Sequence, residues 1–315
     1  MGKESLSVNQ IKIFNKDLLL ATDQGIWIES ERGFQSFGLN EKDVISFIKI
    51  DEEIFMAGVR STDFGNGDTT IFKSIDNGQN WNPFLGNYGN NGEWTWLDAL
   101  VVHPENTKII FARGGINVSK TTDGGNTWKS VFSQWDKFGS AASMLTIDPN
   151  EPNIIWAGGA NAIFKPNLFL SKDNGLSWEI LNEKLQILDF QFEATVFDIA
   201  IKPDVSTNVL LGLSIGIFRT RDLGKTWESI FNKASVLALE NSIRSPFIIY
   251  GSGIHSSGKL FITATPDFGN SWEIIVFNEG PDNIRVNDIV VGEINGKEVL
   301  FLGTNKGIYS YTFEE

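Results

Sequence analysis

Five copies of one eight-residue pattern, Ser/Thr-x-Asp-x-Gly-x-x-Trp, recur down this chain of 315 residues, and their even spacing restricts it to a repeat architecture. The copies run Ser74–Trp81, Thr121–Trp128, Ser171–Trp178, Thr220–Trp227 and Thr265–Trp272. Their acids, Asp76, Asp123, Asp173, Asp222 and Asp267, follow one another at about 48 residues, the length of one four-stranded propeller blade.

Each copy lies between two short β-type runs, such as Gly216-Ile217-Phe218-Arg219 and Trp227-Glu228-Ser229-Ile230-Phe231, and so reads as a hairpin connection. Asp and Ser/Thr oxygens accept hydrogen bonds from nearby backbone N–H groups and fold the turn. Gly supplies a positive φ that other residues resist. Trp opens the outgoing strand and covers the turn with a large ring.

The chain ends set the number of units. Asp17 to Ile28 mirrors Glu298 to Tyr309, and both segments read as the middle two strands of a blade without an intact signature. The expected fold is therefore all-β, one seven-bladed propeller domain over residues 1–315, with six blades as the alternative. Its last blade stops after the third strand, and Lys3-Glu4-Ser5-Leu6-Ser7 is the expected source of the missing outer strand, which would leave no exposed edge.

The signature closely resembles the Asp-box, or bacterial neuraminidase repeat, of sialidases, xyloglucanases, sortilin-type receptors and photosystem II assembly factors. That resemblance implies that the five Asp residues are structural and sit on the lower outer edge, away from the functional face. It also implies an exported protein, although no targeting segment is visible in the sequence.

Composition removes several functions. With 26 Lys+Arg against 39 Asp+Glu, the net charge of −13 disfavours nucleic acid and anionic bilayers as partners. The absence of cysteine removes disulfides and thiolate chemistry. No apolar run is long enough to span a membrane. His103 and His255 are the only histidines; His103 reads as a turn residue and His255 as part of a loop over Gly251–Gly258, so no metal or cofactor is expected.

The face opposite the signatures should be built from the long segments 59–70, 86–98, 133–143, 158–167 and 182–195. Tyr88, Glu93, Trp94 and Trp96 crowd one of them and Trp135 the next, a mixture of rings and acid suited to stacking on a sugar and binding its hydroxyls. These five are the candidate ligand-binding residues, for a glycan, peptide or protein partner of a monomeric propeller.

Enzyme chemistry is less well supported. A sialidase needs converging arginines, and Arg60, Arg113, Arg219, Arg244 and Arg285 come from different blades. Glycoside hydrolysis needs two carboxyls about 5 to 10 Å apart. The candidates are Asp23, Asp63, Asp68, Glu93, Asp98, Asp136, Asp189 and Glu193, with Glu93 and then Asp98 preferred. Thr22-Asp23-Gln24-Gly25-Ile26-Trp27 is weakly similar to a xyloglucanase segment that carries a catalytic Asp, yet those enzymes use two propellers. Asp98 also aligns with Asp198 and Asp288, which share a Val-x-Asp-Ile context, and this makes it a repeat-structural residue. The expected function is recognition or assembly without catalysis, with glycoside hydrolysis as the alternative.

Overall fold

A computed structural model describes residues 6–60, 70–84, 97–114, 117–133, 141–160, 165–186, 194–278, 281 and 283–313, with backbone only for 70 and 141–143. It contains seven small antiparallel sheets arranged as a seven-bladed β-propeller. The inner strands are Val8–Phe14, Val44–Lys49, Ala99–Val102, Ala141–Ile147, Val196–Ile201, Ala234–Asn241 and Val286–Ile294. Each touches the inner strand of the next blade, and Val286–Ile294 returns to Val8–Phe14 to close the ring.

Blades one to six each have four strands in sequence order, and blade seven has three among the described residues, ending with Gly307–Tyr311. Two-residue turns with positive φ, Asn15-Lys16 in blade one and Asn295-Gly296 in blade seven, join the first two strands at both ends of the chain. Leu6 and Ser7 lie outside any strand. They form the crossover into blade one, where Ser7 N–H donates to Asp23 Oδ1 at 3.1 Å and Asp23 N–H to the Ser7 carbonyl. The expected outer strand Lys3–Ser7 therefore does not extend through Leu6 and Ser7, and Lys3 to Ser5 lie outside the described residues.

The apolar core is divided among the seams. Seven buried clusters each combine residues from two neighbouring blades: Val8 and Ile11 of blade one meet Val299 and Phe301 of blade seven, and Trp156 and Leu168 of blade four meet Val196 and Leu211 of blade five. A blade has two apolar faces, so the closed ring leaves neither uncovered.

The signature turns share one bonding scheme, in which Asn80 Nδ2 takes the place of the Ser/Thr hydroxyl in blade two. In blade four, Ser171 Oγ donates to Asp173 Oδ1 at 2.9 Å, and the Ser177 N–H and hydroxyl donate to the two Asp173 oxygens at 2.8 and 2.6 Å. Gly175 N–H then donates back to Ser171 Oγ. These donors hold Asp123 and Asp173 down at about 2, led by the hydroxyls of Thr127 and Ser177.

Positive φ extends to two consecutive residues, Asn77-Gly78, Gly124-Gly125, Asn174-Gly175, Leu223-Gly224 and Phe268-Gly269. The first of each pair donates its N–H to a carbonyl in the turn joining strands one and two of its own blade, as Asn174 does to Asn153. The tryptophans do more than cover their turns. Each packs into the seam with the preceding blade, and Trp81 Nε1 donates both to Gly78 in its own turn and to Phe37 of blade one.

Candidate functional site

The connections from second to third strands and the crossovers into inner strands lie at one end of the ring, opposite the signature turns. At this end the inner strands of six blades carry a β-bulge: their registers slip between Val8 and Gln10, Val44 and Ser46, Ala142 and Met144, Val196 and Asp198, Val236 and Ala238, and Val286 and Asp288. A bulge adds one residue and turns its side chain aside. The bulge residues Asn9, Ile45, Phe197, Leu237 and Asn287, joined by Asp98, line a polar pocket in the mouth of the central channel.

In four blades the residue after the bulge has a different task. Asp288 Oδ2 accepts the Ile11 N–H, Gln10 Oε1 the Phe47 N–H and Asp198 Oδ2 the Leu239 N–H, each at 2.8 Å, and Ser46 Oγ accepts the Leu100 N–H at 3.1 Å. Four seams are thus latched by a side chain that satisfies a backbone donor of the next blade. The other oxygens of Asp198 and Asp288 accept the Ile199 and Ile289 N–H groups. Burial pushes Asp198 up to about 7 against the lowering effect of its N–H donors, raises Asp288, and pushes Glu240 up to about 7, with Lys12 the cation acting on all three.

Asp98 does not share this role, which corrects its alignment with Asp198 and Asp288. Strand pairing matches Ala99 with Arg113 where Asp198 matches Gly212 and Asp288 matches Gly303, so Ala99 occupies the latch station and Asp98 stands one residue earlier, facing the pocket. A single alignment shift of this kind is invisible when bulges are unknown.

Opposite the latch station, the second strand carries Ala21, Gly58, Gly158, Gly212, Ser252 and Gly303 in six blades and Arg113 in blade three. The reason for small residues is direct. A Cβ on Gly58 would lie 1.8 Å from Leu97 Cδ2, and one on Gly303 would lie 2.8 Å from Val8 Cγ1, because the next inner strand packs there. Arg113 is only 6% exposed, and its Nη1 pairs with Asp98 Oδ2 at 3.4 Å, while Asp98 remains accessible from the pocket. Its anomaly is readable only once the blades are aligned by strand pairing.

The remaining candidates separate. Tyr88, Glu93, Trp94, Trp96 and Trp135, with Asp63, Asp68, Asp136, Asp189 and Glu193, lie outside the described residues. Asp23 sits in the hairpin connection of blade one, held by Ser7 and raised by burial. The arginines do not gather for a sialic acid carboxylate: Arg60 pairs with Asp43, Arg219 with Glu228 and Arg244 with Glu293, each in its own surroundings. His103 is a buried turn residue, as expected, its Nδ1 accepting the Glu105 N–H. His255 instead ends the second strand of blade six, Ile249–His255, so Gly251–His255 is strand and not loop. Among the described residues no cluster of His, Asp and Glu fits a metal ion, and no helix is long and apolar enough to cross a membrane.

No protein-family model and no curated protein matches this sequence. Solved structures share its fold. The xyloglucanase of family GH74 from Xanthomonas campestris aligns with a TM-score of 0.71 at 12% identity, over 98% of this chain and 52% of its own. The GH74 enzyme of Niastella koreensis gives 0.74 at 14% identity, again over 98% and 52%. YCF48 bound to D1 peptide gives 0.66 at 12% identity, over 99% of this chain and 95% of its own. The chain thus spans about half the length of the two GH74 proteins and nearly all of YCF48. Likeness at these identities establishes a common propeller fold.

Proposed function

We propose that this propeller is a recognition or assembly module that binds a glycan, peptide or partner protein at the channel mouth opposite the signature turns. The observation that carries the reading is the Asp98–Arg113 pair, placed in that mouth at a station where the other blades accept only small residues. A carboxylate held by a buried guanidinium presents an oriented, accessible acceptor, a polar anchor of the kind that orients a ligand. The segment preceding Asp98 in sequence supplies Tyr88, Glu93, Trp94 and Trp96, and Trp135 follows in the next crossover, so aromatic stacking is part of the same proposal. Export, the location implied by the family resemblance, belongs to it as well.

Among the described residues the mouth offers little for hydrolysis. Asp198 and Asp288 spend both oxygens on backbone donors, and Asp98 is paired with Arg113. The hydrolase alternative draws on the elevation of Asp198 and Glu240 to about 7, a range suited to general acids, and on the fold shared with GH74 enzymes.

A glycan array, a peptide library and a panel of chromogenic glycosides test both readings. Binding without turnover, weakened at least tenfold by Arg113→Ser and by Trp94→Ala or Trp96→Ala, is the expected result. Turnover of a glycoside that disappears in Glu93→Gln or Asp98→Asn would replace recognition with catalysis.

A further inference from the structure

At the signature end of the ring, the five seams from blade one to blade six share one filling. Each takes the indole of the signature Trp from its following blade: Trp81, Trp128, Trp178, Trp227 and Trp272. Between blades four and five, Trp227 packs with Ile154, Trp156 and Leu170, its ring 6.4 Å from that of Trp156.

Strand pairing puts Ile248, Tyr250 and Ala264 of blade six at the stations of Ile154, Trp156 and Leu170. In blade seven, Tyr311 and Phe313 stand where the signature has its Ser/Thr and its Asp, so this segment lacks the signature chemistry. Phe313 rests on Tyr250 with ring centres 5.0 Å apart, yet a cleft of about 590 Å³ stays open between Ile248, Tyr250, Ala264, Trp272, Glu273 and Phe313. The station of Ala264 holds Lys73, Lys120, Leu170 and Arg219 in blades two to five, all much longer side chains. One wall is fixed, because the Tyr250 hydroxyl donates to Glu298 Oε2 at 2.7 Å.

The surface beside the cleft departs from the repeat as well. In blades three to six the turn joining the first two strands has one length, and the N–H groups of His103, Asp148, Lys202 and Ser242 donate across it. At its second position Pro104, Pro149 and Pro203 give way to Ile243, and at its sixth Lys108, Asn153 and Thr207 give way to Phe247. Ile243 is 56% exposed and Phe247 50%, and Phe247 leads directly into Ile248 of the cleft. Clustered exposed apolar side chains next to an aromatic cleft mark contact with another macromolecule.

We propose that the cleft between blades six and seven is a docking site for a partner protein, which inserts a tryptophan side chain where signature indoles fill the other seams. An aromatic anchor in a pocket with an apolar surround is the usual core of a protein interface. Glu273 is the one charged side chain lining the cleft among the described residues, and the whole chain carries −13, so the partner segment would be basic beside its ring. Ile243 and Phe247 would cover the residues flanking the anchor.

The probe is the capped pentapeptide Gly-Lys-Trp-Lys-Gly, titrated into the full chain with its isoleucine and alanine methyl groups labelled for NMR. Saturable shifts of the Ile248 and Ala264 methyl signals are expected by about 5 mM peptide. Alanine in place of the peptide's tryptophan should weaken binding at least tenfold. Ala264→Leu, which gives blade six the side chain that blade four already has at this station, should also weaken it at least tenfold. Phe247→Asn, the residue of blade four at that turn position, and Glu273→Gln should each weaken it about threefold. No methyl shifts, equal binding of the alanine peptide, or binding unchanged by Ala264→Leu or by both surface variants would overturn the proposal. Binding of N-acetyl-tryptophanamide without any binding of the peptide would overturn it in favour of a small aromatic ligand. Dimerisation in sedimentation that Ala264→Leu abolishes would overturn it in favour of a second copy of this chain.

Discussion

Asp288 of blade seven accepts the backbone N–H of Ile11 of blade one at 2.8 Å, so residues 277 positions apart in sequence fasten the two ends of the ring. The bond lies beside the buried contact of Val8 and Ile11 with Val299 and Phe301. Closure thus combines apolar burial, which is not directional, with one acceptor that fixes register.

Asp288→Ala should leave the Ile11 N–H without its acceptor and reduce stability by about 1 to 3 kcal/mol. Asp288→Asn retains a carbonyl oxygen in the same place and should recover much of the loss. Urea unfolding followed by tryptophan fluorescence checks the order wild type, Asn, Ala. Equal stability of the Ala variant would show that the latch contributes nothing to closure.

The channel carboxyls give a stability that falls with rising pH. Asp198 and Glu240 hold a proton up to about 7 in the folded ring, above their ordinary values, because burial disfavours the charge. Their contribution is full below the ordinary carboxylate range and is lost as pH rises from about 4 to about 7. Asp123 and Asp173 act in the opposite sense, their contribution being present above about 4 and lost towards about 2. The urea midpoint of wild type should therefore fall between pH 5 and 7.5, and the double variant Asp198→Asn/Glu240→Gln should show a flatter profile.

Two glycines of the signature turns should respond differently. Gly175 has φ +79, and an added Cβ would meet Phe111 Cε1 at 2.8 Å, so Gly175→Val combines backbone strain with a clash and should cost about 2 kcal/mol or more. Gly124 has φ +72 with nothing within 4 Å of its Cβ, and the same station holds Asn77 and Asn174 elsewhere. Gly124→Asn should change stability by less than about 0.5 kcal/mol, since Asn tolerates this region. Thermal unfolding of the two variants separates the effects.

Arg113→Ser tests the station where blade three departs from the others. Ser252 fills the matching site in blade six, so the fold should persist, while Asp98 loses its partner and the mouth becomes more acidic. Affinity for a ligand found by screening should fall at least tenfold, with the melting temperature changed by only a few degrees. A large loss of stability with intact binding would make the pair a structural ion pair.

The sequence by itself made legible an all-β ring of repeated units and the hairpin chemistry of the five signature turns, while the family resemblance supplied their lower position and strand pairing decided seven blades over six. The ring and its turns are legible because turn chemistry is local: a carboxylate, a hydroxyl and two positive-φ residues within eight positions make a hairpin wherever they occur, and the repeat multiplies the signal. Tertiary structure alone decided which carboxylates latch seams, why Asp98 differs from Asp198 and Asp288, and that Arg113 occupies a station held by small residues in the other blades. Those facts depend on bulges, which shift register by one residue without a sequence mark, and on contacts between blades some fifty residues apart. Blade packing also turned each signature Trp from a cover for its own turn into a wedge in the neighbouring seam, because a ring must bury both faces of every sheet.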